Sequence, residues 1–223
     1  GPAGSTKARA GTALFIPGDV DGDGFDDLLV GAPREDTRGE DAGAVYLWYG
    51  SSTLGGSTDL SVAARFQGEA LNDRLGDAVA GGDVDGDGAS ELFLGAPQND
   101  ASAIDGGKAY LIPSGSWAGA HFVETAATLS IAGSGNLDKL GTSLLVADLT
   151  GDGIAELVAS APDNDLGGSN AGSLFVFEQA HTLSGALADT DADLEIRGSG
   201  PYQKIGTSLD TVDLDQDGRL DLL

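Results

Sequence analysis

Cysteine and methionine are both missing from the 223 residues. Disulfides and thiol chemistry are therefore excluded, and cysteine usage says nothing of the redox compartment. Positive charge is scarce: 11 Lys and Arg stand against 36 Asp and Glu, a formal charge of −25. A basic surface for nucleic acid is excluded by that balance. No apolar run reaches the ~18 residues of a membrane-spanning helix, and no signal peptide is visible. The first five residues, Gly1-Pro2-Ala3-Gly4-Ser5, resemble a protease-cleavage and cloning scar and are kept apart from the fold, which is placed at 6–223.

What the chain has instead is one acidic phrase written four times. Asp19-Val20-Asp21-Gly22-Asp23-Gly24-Phe25-Asp26-Asp27 runs into Leu28-Leu29-Val30 and then Gly31-Ala32-Pro33. The phrase recurs from Asp83 and from Asp148, and a fourth copy starts at Asp213, so the spacings are 64, 65 and 65 residues. A period that regular marks an array of one structural unit. The units run over about 11–75, 76–140 and 141–205, with 206–223 as an incomplete fourth.

A glycine-rich loop curls, so that oxygens at alternate positions converge on one point that suits a hard divalent cation. Calcium takes 6–8 oxygen ligands. The candidates in the first loop are Asp19, Asp21, Asp23, the carbonyl of Phe25 and Asp27. In the second they are Asp83, Asp85, Asp87, the Ala89 carbonyl and Glu91. The third offers Asp148, Thr150, Asp152, the Ile154 carbonyl and Glu156, and the fourth Asp213, Asp215, Asp217, the Arg219 carbonyl and Asp221. Up to four Ca2+ ions are expected, with the weakest site in the third loop, where Thr150 replaces an acid. An EF-hand would need a bidentate acid at position twelve, which holds Val30, Leu94 and Ala159. A plain polar turn explains one copy, since Asp and Gly are ordinary turn residues, but it does not require an acid at the ninth position in all four. Gly24 follows the third carboxylate, where the bend needs a positive φ.

Gly76, Gly141 and Gly206 precede their loops by seven residues, and Gly-Ala-Pro or Ser-Ala-Pro follows the start of the first three loops by twelve. Together with the acidic loop and the period, this order resembles the FG-GAP repeat of the integrin α-subunit β-propeller and its bacterial relatives. The resemblance covers almost the whole chain. The first copy departs from it, with Gly11-Thr12 one residue out of step; the second and third close the cage with Glu91 and Glu156 instead of Asp. Animal integrin propellers usually carry disulfides, so a cysteine-free chain looks more like a bacterial one. The resemblance implies a calcium-binding module for protein interaction or cell adhesion, with calcium acting structurally. Its partner loops would lie on the rim opposite the cages, at 36–41, 99–105 and 163–170. Exposed modular calcium loops suit the millimolar calcium outside cells, hence an extracellular or cell-surface setting.

With 40% hydrophobic residues in short regular runs, the chain reads as all-β. In the second unit strands are expected at 75–82, 92–94, 108–112 and 127–132, making a four-stranded propeller blade. No segment reads as an amphipathic helix, including 183–193, which Gly185 interrupts. Ala42-Gly43, Gly106-Gly107 and Ala171-Gly172 are expected to allow close backbone approach at the blade centre. Tyr46, Trp48, Tyr49, Tyr110, Phe175 and Phe177 alternate along the third strands and are assigned to blade packing, the sharper alternative being a stacking platform for sugars or a peptide.

Three and a half blades are half of a seven-bladed propeller, and an open half exposes apolar blade faces. The chain is expected to be a fragment of a longer propeller or to associate as a homodimer through those edges. The partner is a protein or glycan; a lectin-like propeller and a structural spacer are the alternatives to adhesion. No enzyme is expected. Cysteine is missing, no Gly-x-Ser-x-Gly elbow occurs, and the acids that might serve a glycosidase belong to the cages. His121 and His181 fall between third and fourth strands and read as surface residues.

Overall fold

The structure, a computed structural model, describes residues 8–53 and 60–223. The expected scar at 1–5 lies outside the described residues. The first blade contains β1 (Leu14–Gly18), β2 (Asp27–Ala32), β3 (Ala44–Trp48) and β4 (Ala64–Gln67), each antiparallel to the one before. The second contains β5 (Ala78–Gly82), β6 (Glu91–Ala96) and β7 (Lys108–Ile112); its connector holds β8 (Ala120–Phe122) and a single α-helical turn, Val123–Ala126, before β9 (Leu129–Ala132). The third has β10 (Leu144–Ala147), β11 (Glu156–Ala161) and β12 (Ser173–Phe177), then β13 (Gly185–Ala188) and β14 (Leu194–Arg197). The fourth unit contributes the pair β15 (Thr211–Val212) and β16 (Asp221–Leu222). Among the described residues no helix is long and apolar enough to cross a membrane.

The four-stranded blade is present in each of the three units, and two blades gain a fifth strand. β8 pairs parallel to β4 of the blade before it, and β13 likewise to β9. Each is a short strand in the connector of one unit that extends the outer edge of its predecessor, so it covers an edge that would otherwise offer unpaired backbone groups. Segment 183–193 therefore forms no amphipathic helix, as expected; it contains a strand that the alternation does not announce and one 3-10 turn at Asp189–Asp191. His121 also differs from expectation. It stands on β8 with its ring 4.9 Å from Trp117 and 5.9 Å from Phe66, so it is part of the packed edge, whereas His181 is exposed.

The step error in the first unit has a structural resolution. β1 and β2 pair regularly until a one-residue shift between Phe15 and Gly18, so the extra residue is absorbed as a bulge. β5–β6 and β10–β11 run without one. Upstream of the bulge Gly11 still donates to the Gly31 carbonyl at 2.9 Å, as Gly76 does to Gly95.

Alternation places successive residues of one strand on different interfaces. Leu92 and Leu94 of β6 join Leu29, Val45, Leu47 and Phe66 between the first two blades. Phe93, between them in sequence, joins Leu157, Phe175 and Phe177 between the second and third. All six residues of β6 and of β11 are buried, as expected of strands packed on both faces. The aromatics follow suit: Tyr110, Phe175 and Phe177 lie in the inter-blade cores, Tyr46 is buried on the outer face of the first blade, and Tyr49 and Trp48 pack partly buried beside them. The close backbone approach expected at the blade centre occurs instead at the blade junction. Gly43 bridges to Leu75 and Gly107 to Leu140, in each case the residue before the glycine that opens the next unit.

Candidate metal centres

Each acidic loop joins the first and second strands of its unit, so all four lie at the same end of the blades. The loop is shaped by its own acids. Asp19 Oδ1 accepts the Gly22 amide at 2.7 Å and Oδ2 accepts that of Gly24 at 2.7 Å. Asp83 receives Gly86 and Gly88 at 2.7 and 2.9 Å, and Asp148 receives Gly151 and Gly153 at 2.6 and 2.9 Å. In the fourth loop Asp213 receives Gly218 at 3.1 Å. The bend glycines Gly24, Gly88, Gly153 and Gly218 have φ between +90° and +92°, the region a Cβ resists.

The ninth-position acid closes the loop from below. It is the first residue of the second strand, and it is buried: Asp27 is 2%, Glu91 5% and Glu156 2% exposed. Each reaches back to the loop's second residue, Asp27 to the Val20 amide at 2.9 Å, Glu91 to Val84 at 3.0 Å, Glu156 to Leu149 at 2.7 Å and Asp221 to Leu214 at 2.9 Å. Asp27 and Glu91 use their other oxygens on Gly50 and Ser114. Burial pushes the carboxyls of Asp27, Glu91 and Glu156 up, while the amides of Gly24 and Gly153 hold Asp19 and Asp148 down.

Three carboxylates meet at each centre, with one oxygen apiece within 4.8 Å of the others: Asp19, Asp21 and Asp27; Asp83, Asp85 and Glu91; Asp148, Asp152 and Glu156; Asp213, Asp215 and Asp221. The fifth-position acids Asp23, Asp87 and Asp217 stand outside these trios. Each turns into its own loop, accepting the amide of Phe25 at 2.9 Å, Ala89 at 2.8 Å or Arg219 at 2.9 Å. Asp152 makes the same bond to Ile154 at 2.9 Å and still joins its trio, where Thr150 does not. An all-oxygen set built on a buried acid whose ionised form is disfavoured fits a hard cation, which would neutralise the mutual repulsion of the trio.

At the opposite end stand buried side chains that lie outside the repeated acidic motif. Asp73 and Asp138, one repeat apart, are buried, and each accepts the side-chain amide of an asparagine two residues past the Ala-Pro turn, Asn99 at 2.8 Å and Asn164 at 2.6 Å. Asp73 Oδ2 also accepts the Ala70 amide at 2.9 Å. The signal available in the sequence was the 65-residue spacing of the two aspartates. The loops at 36–41, 99–105 and 163–170, where the resemblance puts partner binding, share one turn: Asp36, Asp100 and Asp165 each accept the amide five residues on, at 2.7 to 2.9 Å.

Burial raises the Asp73 carboxyl from 3.8 to about 6. Folding therefore favours its protonated form, a contribution fully present below the unfolded value and lost as pH rises through about 6. Asp73→Asn retains an acceptor for both amides and removes the titration. The variant is expected to gain stability over the wild type as pH rises from 4 to 7, by about 1–2 kcal/mol after allowance for solvent screening, in paired urea melts. A difference independent of pH would show that Asp73 does not carry the titration.

The FG-GAP repeat family matches residues 15–48 and 140–177, which hold the first and third loops with the three strands around each. Human phosphatidylinositol-glycan-specific phospholipase D is 30% identical over 215 residues, 93% of this chain and 25% of that protein. Human integrin alpha-X is 42% identical over 100 residues, 43% of this chain and 8% of that protein. Integrin alpha-5 of Xenopus laevis is 26% identical over 166 residues, 72% of this chain and 14% of that protein. The chain thus spans a quarter or less of the length of these relatives, one of them named for an enzyme and two as integrin α chains, so likeness alone assigns neither catalysis nor its absence. The chain is a run of FG-GAP repeats folded as integrin-like propeller blades.

Proposed function

We propose that this is a calcium-stiffened propeller for protein interaction, of the adhesion type, working outside the cell. The observation that carries it is the recurrence of a carboxylate trio in all four units, each resting on an acid at the start of the second strand. A cation in each would tie the first two strands together and reduce the freedom of the loop, which is a structural and not a chemical role. The likeness to integrin α chains supports the interaction role, and the extracellular setting follows from the affinity range of such loops. The burial of Tyr46, Tyr110, Phe175 and Phe177 supports this reading over a lectin-like propeller, which would use such rings as a stacking platform. A non-catalytic role is supported by the placement of acids in the loops and of His121 in a packed edge.

Calorimetric titration with calcium should count close to four ions, and Asp85→Ala should lose one of them. An unchanged count in that variant would remove Asp85 from the ligand set. The exposed residues Leu14 and Ile16 of β1 and Leu194 and Ile196 of β14 mark faces that a second copy would cover. A monomeric mass in light scattering at high protein concentration would dispose of that homodimer.

A further inference from the structure

In a chain of charge −25, five of the 11 basic residues, Arg9, Arg34, Arg74, Lys139 and Lys204, belong to one face at the end of the blades away from the acidic loops. Four of them, Arg9, Arg74, Lys139 and Lys204, stand 65 residues apart, two before the glycine that opens each unit. All four have left-handed backbone, with φ of 52°, 60°, 59° and 51°. The turn therefore presents a cation at the same place in every unit.

What fills the space between neighbouring cations differs from gap to gap. Between Lys139 and Lys204 stands Asp163, the residue after the Ala-Pro turn; Lys139 Nζ lies 2.9 Å from its Oδ2 and Lys204 pairs with its Oδ1. Between Arg9 and Arg74 stands Asp77, which takes Nε of Arg74 at 3.1 Å and a terminal nitrogen at 3.1 Å, and which Arg34 and Arg9 also help to hold ionised against burial. In the middle gap, between Arg74 and Lys139, neither of the equivalent positions carries an acid, and the one acid that reaches it is Asp77, already paired with Arg74. Gln98 occupies the position that Asp163 fills in the next unit, and Thr142 the position of Asp77. A pocket of about 340 Å3 opens there, lined by Arg74, Asp77, Pro97, Gln98, Lys139 and Thr142. Gln98 Oε1 accepts from Arg74 at 3.2 Å, so the amide already sits where a carboxylate would be drawn.

We propose that this pocket binds a carboxylate of an acidic peptide segment, seated between Arg74 and Lys139 as Asp163 is seated between Lys139 and Lys204. The proposal rests on the interaction-module reading and names the chemistry of the partner. Each flanking cation already shares an internal acid, Arg74 with Asp77 and Lys139 with Asp163, so the residual positive charge matches a single negative charge better than a dianion. Elsewhere the strongly negative surface repels an acidic peptide, which confines binding to this mouth.

The test is titration of the whole chain with tetraglutamate in millimolar calcium at low salt, followed by calorimetry or backbone amide shifts, with inorganic sulfate and free glutamate as parallel arms. Saturable tetraglutamate binding is expected, weakened about tenfold or more in both Gln98→Glu, which fills the gap from within, and Lys139→Gln, which removes one side of it. Gln98→Glu is nearly isosteric and gains a charged partner in Arg74, so it should melt at or above the wild-type temperature. Three results would overturn the pocket: no wild-type binding, equal binding in Gln98→Glu, or sulfate or free glutamate binding as tightly as the peptide. Calcium counted on the same sample separates the two claims. Four ions without peptide binding sink only the pocket, and peptide binding without any ions sinks only the calcium-stiffened module.

Discussion

Moving the chain from millimolar calcium into excess EGTA is expected to lower its melting temperature by roughly 20 °C or more. A site held at a hundred times its dissociation constant adds about 2.7 kcal/mol, and four independent sites about 11 kcal/mol, comparable to the whole stability of a domain. A domain near this size shifts by about 2–4 °C per kcal/mol. The mechanism lies in the trios: without a counter-ion three carboxylates with oxygens within 4.8 Å repel one another, and each loop is anchored to its own buried acid at the head of the second strand. The units should not contribute equally. Thr150 leaves the third loop one carboxylate poorer, and Asp221 of the fourth is less buried than its counterparts. Asp85→Ala is therefore expected to remove a larger share of the calcium-dependent shift than Thr150→Ala. Circular dichroism melts with and without the metal decide the matter; coincident curves would reduce the four loops to acidic turns.

Gly107→Ala is expected to destabilise the chain by about 2–5 kcal/mol even with calcium bound. Two effects add. Gly107 has φ of +83°, where an L-residue pays about 1–2 kcal/mol. Its new Cβ would lie 2.2 Å from the carbonyl oxygen of Leu140 and 2.5 Å from its amide nitrogen, backbone atoms that cannot rotate aside. Relief would require opening the junction between the second and third blades, where Leu140 itself is wholly buried against Phe93 and Phe175. Gly115→Ala offers the contrast. It also has positive φ but nothing within 4 Å of the added carbon, so its loss should be confined to backbone strain. Urea melts of the two variants measure the difference; equal losses would mean that the junction yields.

Much of this protein was legible as a string. The period of 64 to 65 residues, the acids at odd positions of each loop and the apolar runs after them placed the blades, the four loops and their common end, because these features are local: each loop and its two strands span fewer than 20 residues. The third-strand aromatics were assignable to packing for the same reason, since alternation along a single strand decides which face a side chain takes. The strand starts were less legible. The first strand of the second unit begins at Ala78 and not at 75, because Arg74 and Gly76 both take left-handed backbone to cross between blades.

The sequence by itself determined the repeated unit, its all-β character and the place and chemistry of the acidic loops. Only the tertiary structure decided which strand extends the neighbouring blade, that Phe15 to Gly18 absorbs the extra residue of the first unit, that the fifth-position acids turn into their own loops, and that Gln98 lines a pocket with Arg74 and Lys139 where the next unit has Asp163. β8 meets β4 across more than fifty residues, and Asp163 meets Lys139 of the preceding unit and Lys204 forty-one residues further on. Such pairings depend on how one blade is set against the next, a matter of packing between surfaces far apart along the chain, and no local pattern of residue types encodes it.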